Sequence, residues 1–174
     1  MRKPLALAVL VAAAASAGPA LAGYDKTEWG MSVEEVQKLY PGGFLDRQPD
    51  GKTEYRVLRE VAGIRTALLK FDFGGPKNGL RRVSILFPEQ GTEVDLHQAL
   101  FEPPSPTQGE SLRLTLRAAL LTKYGKPAAT NGKDDAWVTA SGDQIYLGLT
   151  SAGGGITPGV IYEPPKKERD TSGL

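Results

Sequence analysis

The stretch Thr53–Phe87, TEYRVLREVAGIRTALLKFDFGGPKNGLRRVSILF, decides the fold, because its apolar residues recur every second position across three separate runs. Tyr55, Val57 and Val61 alternate with Glu54, Arg56 and Glu60. Ala67, Leu69, Phe71 and Phe73 alternate with Thr66, Leu68, Lys70 and Asp72, and Val83, Ile85 and Phe87 with Arg82, Ser84 and Leu86. A period of two is the mark of strands with one buried face. The segments between the runs supply turn residues, so three consecutive antiparallel strands are predicted. A three-residue first loop, Val61-Ala62-Gly63, would give Gly63 the left-handed position and set Tyr55 opposite Leu69 and Glu54 opposite Lys70. Residues 74–79, rich in glycine and containing Pro76 and Asn78, read as the second turn.

Outward from this sheet, the spacing changes from two to nearly four. On the N-terminal side, Ser32 and Glu35 form a capping box and Met31 and Val36 a hydrophobic staple. They start a helix whose apolar face is Val33, Val36, Leu39 and Tyr40 and which Pro41-Gly42-Gly43 ends. On the C-terminal side, Thr92 with Asp95 predicts a short helix through Phe101. Thr107 with Glu110 predicts a second capping box before a longer helix carrying Leu112, Leu116, Leu120 and Tyr124, stopped at Gly125 and Pro127. Trp137-Val138, Ile145 to Leu149 and Val160 to Tyr162 read as three further strands, joined by the turn Ser141-Gly142-Asp143 and a loop over 151–159. The expected class is α+β, an antiparallel sheet with short helices in the order helix, three strands, helix, three strands.

Composition sets the compartment. Arg2 and Lys3 precede an apolar run from Leu5 to Ala15, and Ala20-Leu21-Ala22 has the small-x-small form of a signal-peptide cleavage site. Residues 1–22 are therefore read as a cleavable secretory signal, residues 23–163 as one domain, and residues 164–174 as a disordered polar tail. The sequence contains no cysteine, so the mature N-terminus offers no lipid attachment site and the domain must stand on its core without disulfides. Residues 23–174 carry 19 basic and 20 acidic side chains, a formal charge of −1, which argues against nucleic acid or an anionic membrane as partner. The apolar run of the signal is too short to span a bilayer, and no other segment qualifies.

The motif Trp29-Gly30-Met31-Ser32-x-Glu34-Glu35-Val36, the strand Gly63 to Phe73, Lys123-Tyr124-Gly125-Lys126-Pro127, Trp137, and the runs Ile145-x-Leu147-x-Leu149 and Val160-Ile161-Tyr162 together resemble a broad set of small, functionally uncharacterised exported bacterial proteins. The Gly-Met-Ser start is also similar to the SmpA/OmlA type of outer-membrane assembly lipoprotein and to the β-lactamase-inhibitor-like fold. The resemblance implies an α+β domain that works by binding other proteins. None of its matched positions is catalytic, and the missing lipobox departs from the anchored members.

Residues with chemical potential are sparse. His97 is the single histidine, with Glu93 and Asp95 as its only near carboxylates, so no metal or other cofactor is predicted. Ser141, Asp143 and His97 contain the side chains of a nucleophilic triad, but Ser141-Gly142-Asp143 has the composition of a hairpin turn and lacks a nucleophile elbow. The acidic pairs Glu34-Glu35 and Asp134-Asp135 keep a carboxylate-dependent hydrolase open as an alternative. Gly153-Gly154-Gly155 leads into a strand instead of a helix and lacks the features of a phosphate loop. Arg113 and Arg117 share a helix face with Lys123 and read as a solvated surface, with an acidic partner as the other reading.

The feature that structure alone does not demand is the far side of the first sheet. There Leu58, Leu68 and Leu86 form a stripe rimmed by Arg56, Lys70 and Arg82, together with Glu54 and Glu60. A leucine stripe inside a charged rim has the composition of an interface, and the three leucines with Arg56, Lys70 and Arg82 are the predicted partner-binding face. A second layer of the chain lying over them is the other account. The sequence thus predicts an exported, periplasmic or extracellular protein-interaction or ligand-binding module, with another envelope protein as the expected partner. A carboxylate-dependent hydrolase and a structural or stress-related envelope protein are the alternatives.

Overall fold

In a computed structural model of the chain, which describes residues 23–74, 79–152 and 155–166, eight strands form one antiparallel sheet. In chain order the elements are α1 (Val33–Leu39), β1 (Phe44–Arg47), β2 (Thr53–Val61), β3 (Ile64–Phe73), β4 (Leu80–Leu86), β5 (Val94–Asp95), β6 (Leu100–Phe101), α2 (Pro106–Tyr124), β7 (Ala129–Thr130), β8 (Asp135–Val138), β9 (Gln144–Ala152) and β10 (Gly155–Glu163). The large sheet runs β1-β2-β3-β4-β10-β9-β8-β7, and β5 and β6 form a separate hairpin. The α+β class agrees with the sequence. The expected order does not, because the short edge strands β1 and β7 and the β5-β6 hairpin have too few residues to show a period. The signal-peptide residues 1–22 and most of the predicted tail, 167–174, lie outside the described residues. No helix among the described residues is long and apolar enough to cross a membrane.

The first hairpin corrects the expected register. Val61 pairs with Ile64, so the loop is only Ala62-Gly63, with φ of 51° and 79° at the two positions. Two successive left-handed residues are what a type I′ turn needs, and this turn matches the twist of its flanking strands better than a three-residue loop. With an irregularity between Arg59 and Val61, Tyr55 falls opposite Phe71 and Glu54 opposite Asp72. The shift is two residues along β3, so every side chain keeps its predicted face while its partner changes.

One face of the sheet holds the main core. Tyr55, Phe71, Val83, Tyr162, Ile145 and Trp137 follow one another across six strands, and Val57, Leu69, Ile85, Val160 and Leu147 form the next row. Val36 of α1 and Leu116 and Leu120 of α2 close over them. The α1 capping box forms as predicted, Ser32 accepting from the Glu35 amide at 3.2 Å and Glu35 accepting from the Ser32 amide at 2.8 Å. The Tyr55 hydroxyl fixes the far end of this helix, donating to the Tyr40 carbonyl at 2.5 Å and accepting from the Gly43 amide at 2.8 Å. Helix α2 starts earlier than expected: Ser105 is the N-cap, Gln108 completes the box and Pro106 occupies the first turn, where its missing N–H costs nothing. Its C-terminus is met by Trp137, whose indole donates to the Gly125 carbonyl at 2.9 Å.

Residues 23–31 lie along the core side of the sheet, where Tyr24, Trp29 and Met31 pack against the main core. Trp29 donates to Asp143 at 2.7 Å, and the backbones of Gly30, Met31 and Leu80 exchange hydrogen bonds of 3.0 and 2.8 Å. A Cβ on Gly79 would collide with the Gly30 carbonyl, so this close approach of two backbones requires glycine there.

The opposite face has a second, smaller core. Leu68 and Leu86 are buried beneath Phe101, with Leu58, Val94, Leu96 and Ala99 around them. The predicted helix over 92–101 is thus a β5-β6 hairpin. The Asp95 carboxylate accepts from the His97 and Gln98 amides at 2.8 and 3.3 Å, and Ala99 adopts φ 54°, so local side-chain bonding favours a turn over a helix start. The loop expected over 151–159 is also corrected, since β9 runs to Ala152 and β10 begins at Gly155, pairing through Pro158.

Candidate functional site

The register of the first hairpin creates an unusual row on the outer face. Asp46, Glu54, Asp72 and Arg82 stand directly opposite one another on β1 to β4, and Arg82 reaches Glu163 of β10 at 2.8 Å. Three carboxyl groups in succession across a sheet repel unless neighbours compensate. Compensation comes from the adjoining row. Lys70 lies 2.7 Å from Glu54, and Arg56 bridges Glu54 and Asp46, the latter at 2.9 Å.

These neighbours divide the two central carboxyl groups. Burial works to raise Glu54, but the hydrogen bond and charge of Lys70, then those of Arg56, outweigh it and hold the group below the usual range. Asp72 goes the other way. Burial first, and then the charge of Glu54, push it up to about 6 against the opposing pull of Lys70 and Arg82.

Beside this pair the face opens into a groove of about 700 Å³. Glu54, Asp72 and Phe73 line it, Lys52, Arg81 and Arg82 are among its charged groups, and Pro164, Pro165 and Lys166 contribute the C-terminal residues. A bulge in β4 shapes the site: Asp72 pairs with Arg82 and Phe73 with Leu80, so Arg81 is the extra residue, and both arginines are exposed. Pro165 is held close to Gly142 of the β8-β9 turn, which ties the C-terminal wall to the sheet. Residues 164–166, predicted as the start of a disordered tail, are therefore part of the site.

The six residues of the predicted partner-binding face separate. Leu68 is fully buried, Leu86 nearly so and Leu58 half-buried, all covered by the chain's own β5-β6 hairpin, so the leucine stripe is a second layer and not an open surface. Arg56 is also buried, donating to the Leu96 and His97 carbonyls at 3.0 and 2.6 Å and so fastening that hairpin to the sheet. Lys70 is half-buried over Glu54, and Arg82 stands in the open groove. Sequence reasoning missed Asp72, Arg81, Glu163 and the Pro164-Pro165 wall. The alternation of β3 already put Asp72 on this face, whereas the bulge at Arg81 leaves no mark in a period-two pattern.

Other candidates resolve into structure. His97 stacks on Phe44 of β1 with ring centroids 4.1 Å apart, at one end of the strand order, whereas Ser141 and Asp143 occupy the β8-β9 turn toward the other. The fold does not bring that triad together. Asp143 instead accepts from Trp29 and Ser141. Arg113 forks onto Glu110 at 2.8 and 2.9 Å, and Arg117 bridges at 2.8 Å to Asp135, which is only 4% exposed on the core face of β8. Glu35 caps α1, and Asp134 accepts from Asn131 within its own turn. The chain matches no protein-family model, no curated protein and no solved structure.

Proposed function

We propose that the chain is an exported binding module of the cell envelope, and that the groove beside Glu54 and Asp72 receives a segment of a protein partner carrying charges of both signs. The observation that carries this reading is the groove itself: an open, preformed channel with acidic and basic side chains and a rigid proline wall. The signal-like residues 1–22 and the resemblance to small exported proteins support the compartment. A photo-crosslinking residue at Arg81 and another at Lys38, on the exposed side of α1, test the reading in cells. A discrete adduct from position 81 alone, weakened by Arg82→Glu, is expected. Equal adducts from both positions, or none from 81, would overturn it. Fractionation of the same cells tests export, since a cytoplasmic mature chain contradicts the assigned compartment.

A second reading, a carboxylate-dependent hydrolase, rests on the divided Glu54 and Asp72 pair, because one raised and one lowered carboxyl group is the arrangement general acid and base catalysis uses. Hydrolysis of glycoside or peptide substrates that Asp72→Asn abolishes without loss of fold would favour it over the binder.

A further inference from the structure

The bulge in β4 decides which charges the groove receives. Strict alternation back from Val83 would turn Leu80 outward and send Arg81 to the core side. The extra residue instead keeps Leu80 in the main core and leaves Arg81 and Arg82, neighbours in sequence, both exposed and both lining the groove. The C-terminal wall adds a third cation, because Pro165 lies against Gly142 and the residue after it, Lys166, lines the same groove. Lys52, just before β2, is the fourth.

The charges around the groove do not cancel. Glu54 is held by Lys70 and Arg56, neither of which lines the groove, and Glu163 is held by Arg82. Lys52 meets Asp50 in an exposed pair of little strength. Arg81 and Lys166 have no ion-pair partner among the described residues, and Asp72 is the one lining carboxyl group without a cation bound to it there. Positive charge is therefore in surplus at this site. Residues 23–174 as a whole carry a formal charge of −1, so the surplus is local and no general attraction between the chain and anions accounts for it.

We propose that the groove reads an acidic stretch of its partner, whose carboxylate side chains seat on Arg81, Arg82 and Lys166. This rests on the groove reading and names the sign of charge that supplies its affinity. Guanidinium groups suit carboxylates because their N–H donors lie in one plane and converge on the acceptor. Arg82 already does this within the chain, directing Nε and Nη2 to Glu163, and Arg81 brings the same donors to the groove beside it.

Asp72 gives the site a dependence on pH. Glu54 faces it from β2, with Asp46 beyond and Lys70 and Arg56 alongside; Arg82 faces it from β4, and Glu163, Arg81, Lys52 and Lys166 share the groove. Ionised Asp72 repels an incoming carboxylate. Glu54, held low, keeps its charge, so affinity rises as pH falls through the value of about 6 at which Asp72 takes up its proton.

Amide chemical-shift titrations of the processed protein test this, with an end-capped peptide of alternating glutamate and glycine and its lysine counterpart as probes, each taken to about 5 mM. The glutamate peptide should shift amides at 72–74, 80–82 and 163–166 and bind about tenfold or more tightly than the lysine peptide. Arg81→Glu and Lys166→Glu should each weaken it about tenfold, whereas Lys38→Glu, on the exposed side of α1, leaves it unchanged. Asp72→Asn should bind about threefold more tightly near pH 7 and lose the gain on acidification. Melting curves report the folding of each variant separately. A lysine peptide that binds as well, no shifts around the groove, or indifference to both charge reversals would overturn the proposal. The groove reading is judged apart from it: a crosslinker at position 81 removes one of the four cations and leaves three, so an adduct there that persists without acid preference refutes only the acidic partner.

Discussion

Leu68 and Leu69 are neighbours in the chain and point to opposite sides of one sheet, and both are buried. Leu69 lies in the main core under the two helices. Leu68 lies under the segment that crosses from β4 to α2, whose only regular structure is two strands of two residues. The helical side is one continuous core over the centre of the sheet, whereas the outer side is divided into a capped leucine patch and an uncapped row of charges beside a groove. Alternation thus reports which side a residue takes, but not whether that side meets solvent, which depends on segments too short to show a period.

The largest effect should come from the helical side. Phe71→Ala removes a fully buried ring from the centre of the sheet and should cost about 3–5 kcal/mol in chemical denaturation. Leu68→Ala sharpens the contrast between the faces. With the hairpin as its cover it should cost about 2–4 kcal/mol, whereas a leucine on an open docking surface would change stability by little. Arg117→Ala leaves Asp135 buried without its partner and should cost about 1–3 kcal/mol, less than for a fully buried pair because Arg117 is partly exposed. Asp135→Asn in the same background should recover part of it.

The next effect, on the order of 1–2 kcal/mol, is a dependence on pH through the outer row. Folded Asp72 keeps its proton up to about pH 6, whereas the unfolded chain releases it near 3.8, so its share of stability is lost as pH rises through that window and regained as pH falls. Glu54, held low, acts in the opposite sense: its contribution is present above the ordinary carboxyl value and disappears as pH falls through its folded value. Asp72→Asn should flatten the decline between about pH 4 and 6 in melts recorded across that range. The smallest effect is Ser32→Ala, which removes one half of the α1 capping box and should lower stability by about 1 kcal/mol on either side of this window.

Much of the fold was legible because it rests on local patterns. The faces of β2, β3 and β4 follow from alternation, the start of α1 from Ser32 and Glu35, and the inner stripe of α2 from Leu116 and Leu120. What was not legible depended on pairwise geometry. Ala62, an ordinary residue in a left-handed conformation, shortened the loop by one residue, and the irregularity between Arg59 and Val61 moved the register by one more, so Glu54 faces Asp72 in place of Lys70, which reaches Glu54 from the adjoining row. From that exchange follow the divided carboxyl groups of the candidate site. The groove wall at Pro164 and Pro165 was hidden for a different reason, since a proline pair in polar sequence has the composition of a tail until Gly142 gives it a surface to rest on.

The junction between β4 and β10 joins halves of the chain whose other strand pairings are all with near neighbours in sequence. β1 to β4 can pair among themselves soon after synthesis, as can β7 to β10, but the two sets meet through four residue pairs separated by more than seventy positions. A chain made from its N-terminus first therefore carries the apolar side of its first meander, and the vacant edge of β4, until the last strand arrives. Folding should be slow at this one step, and the interval before it is when the chain is most exposed to aggregation.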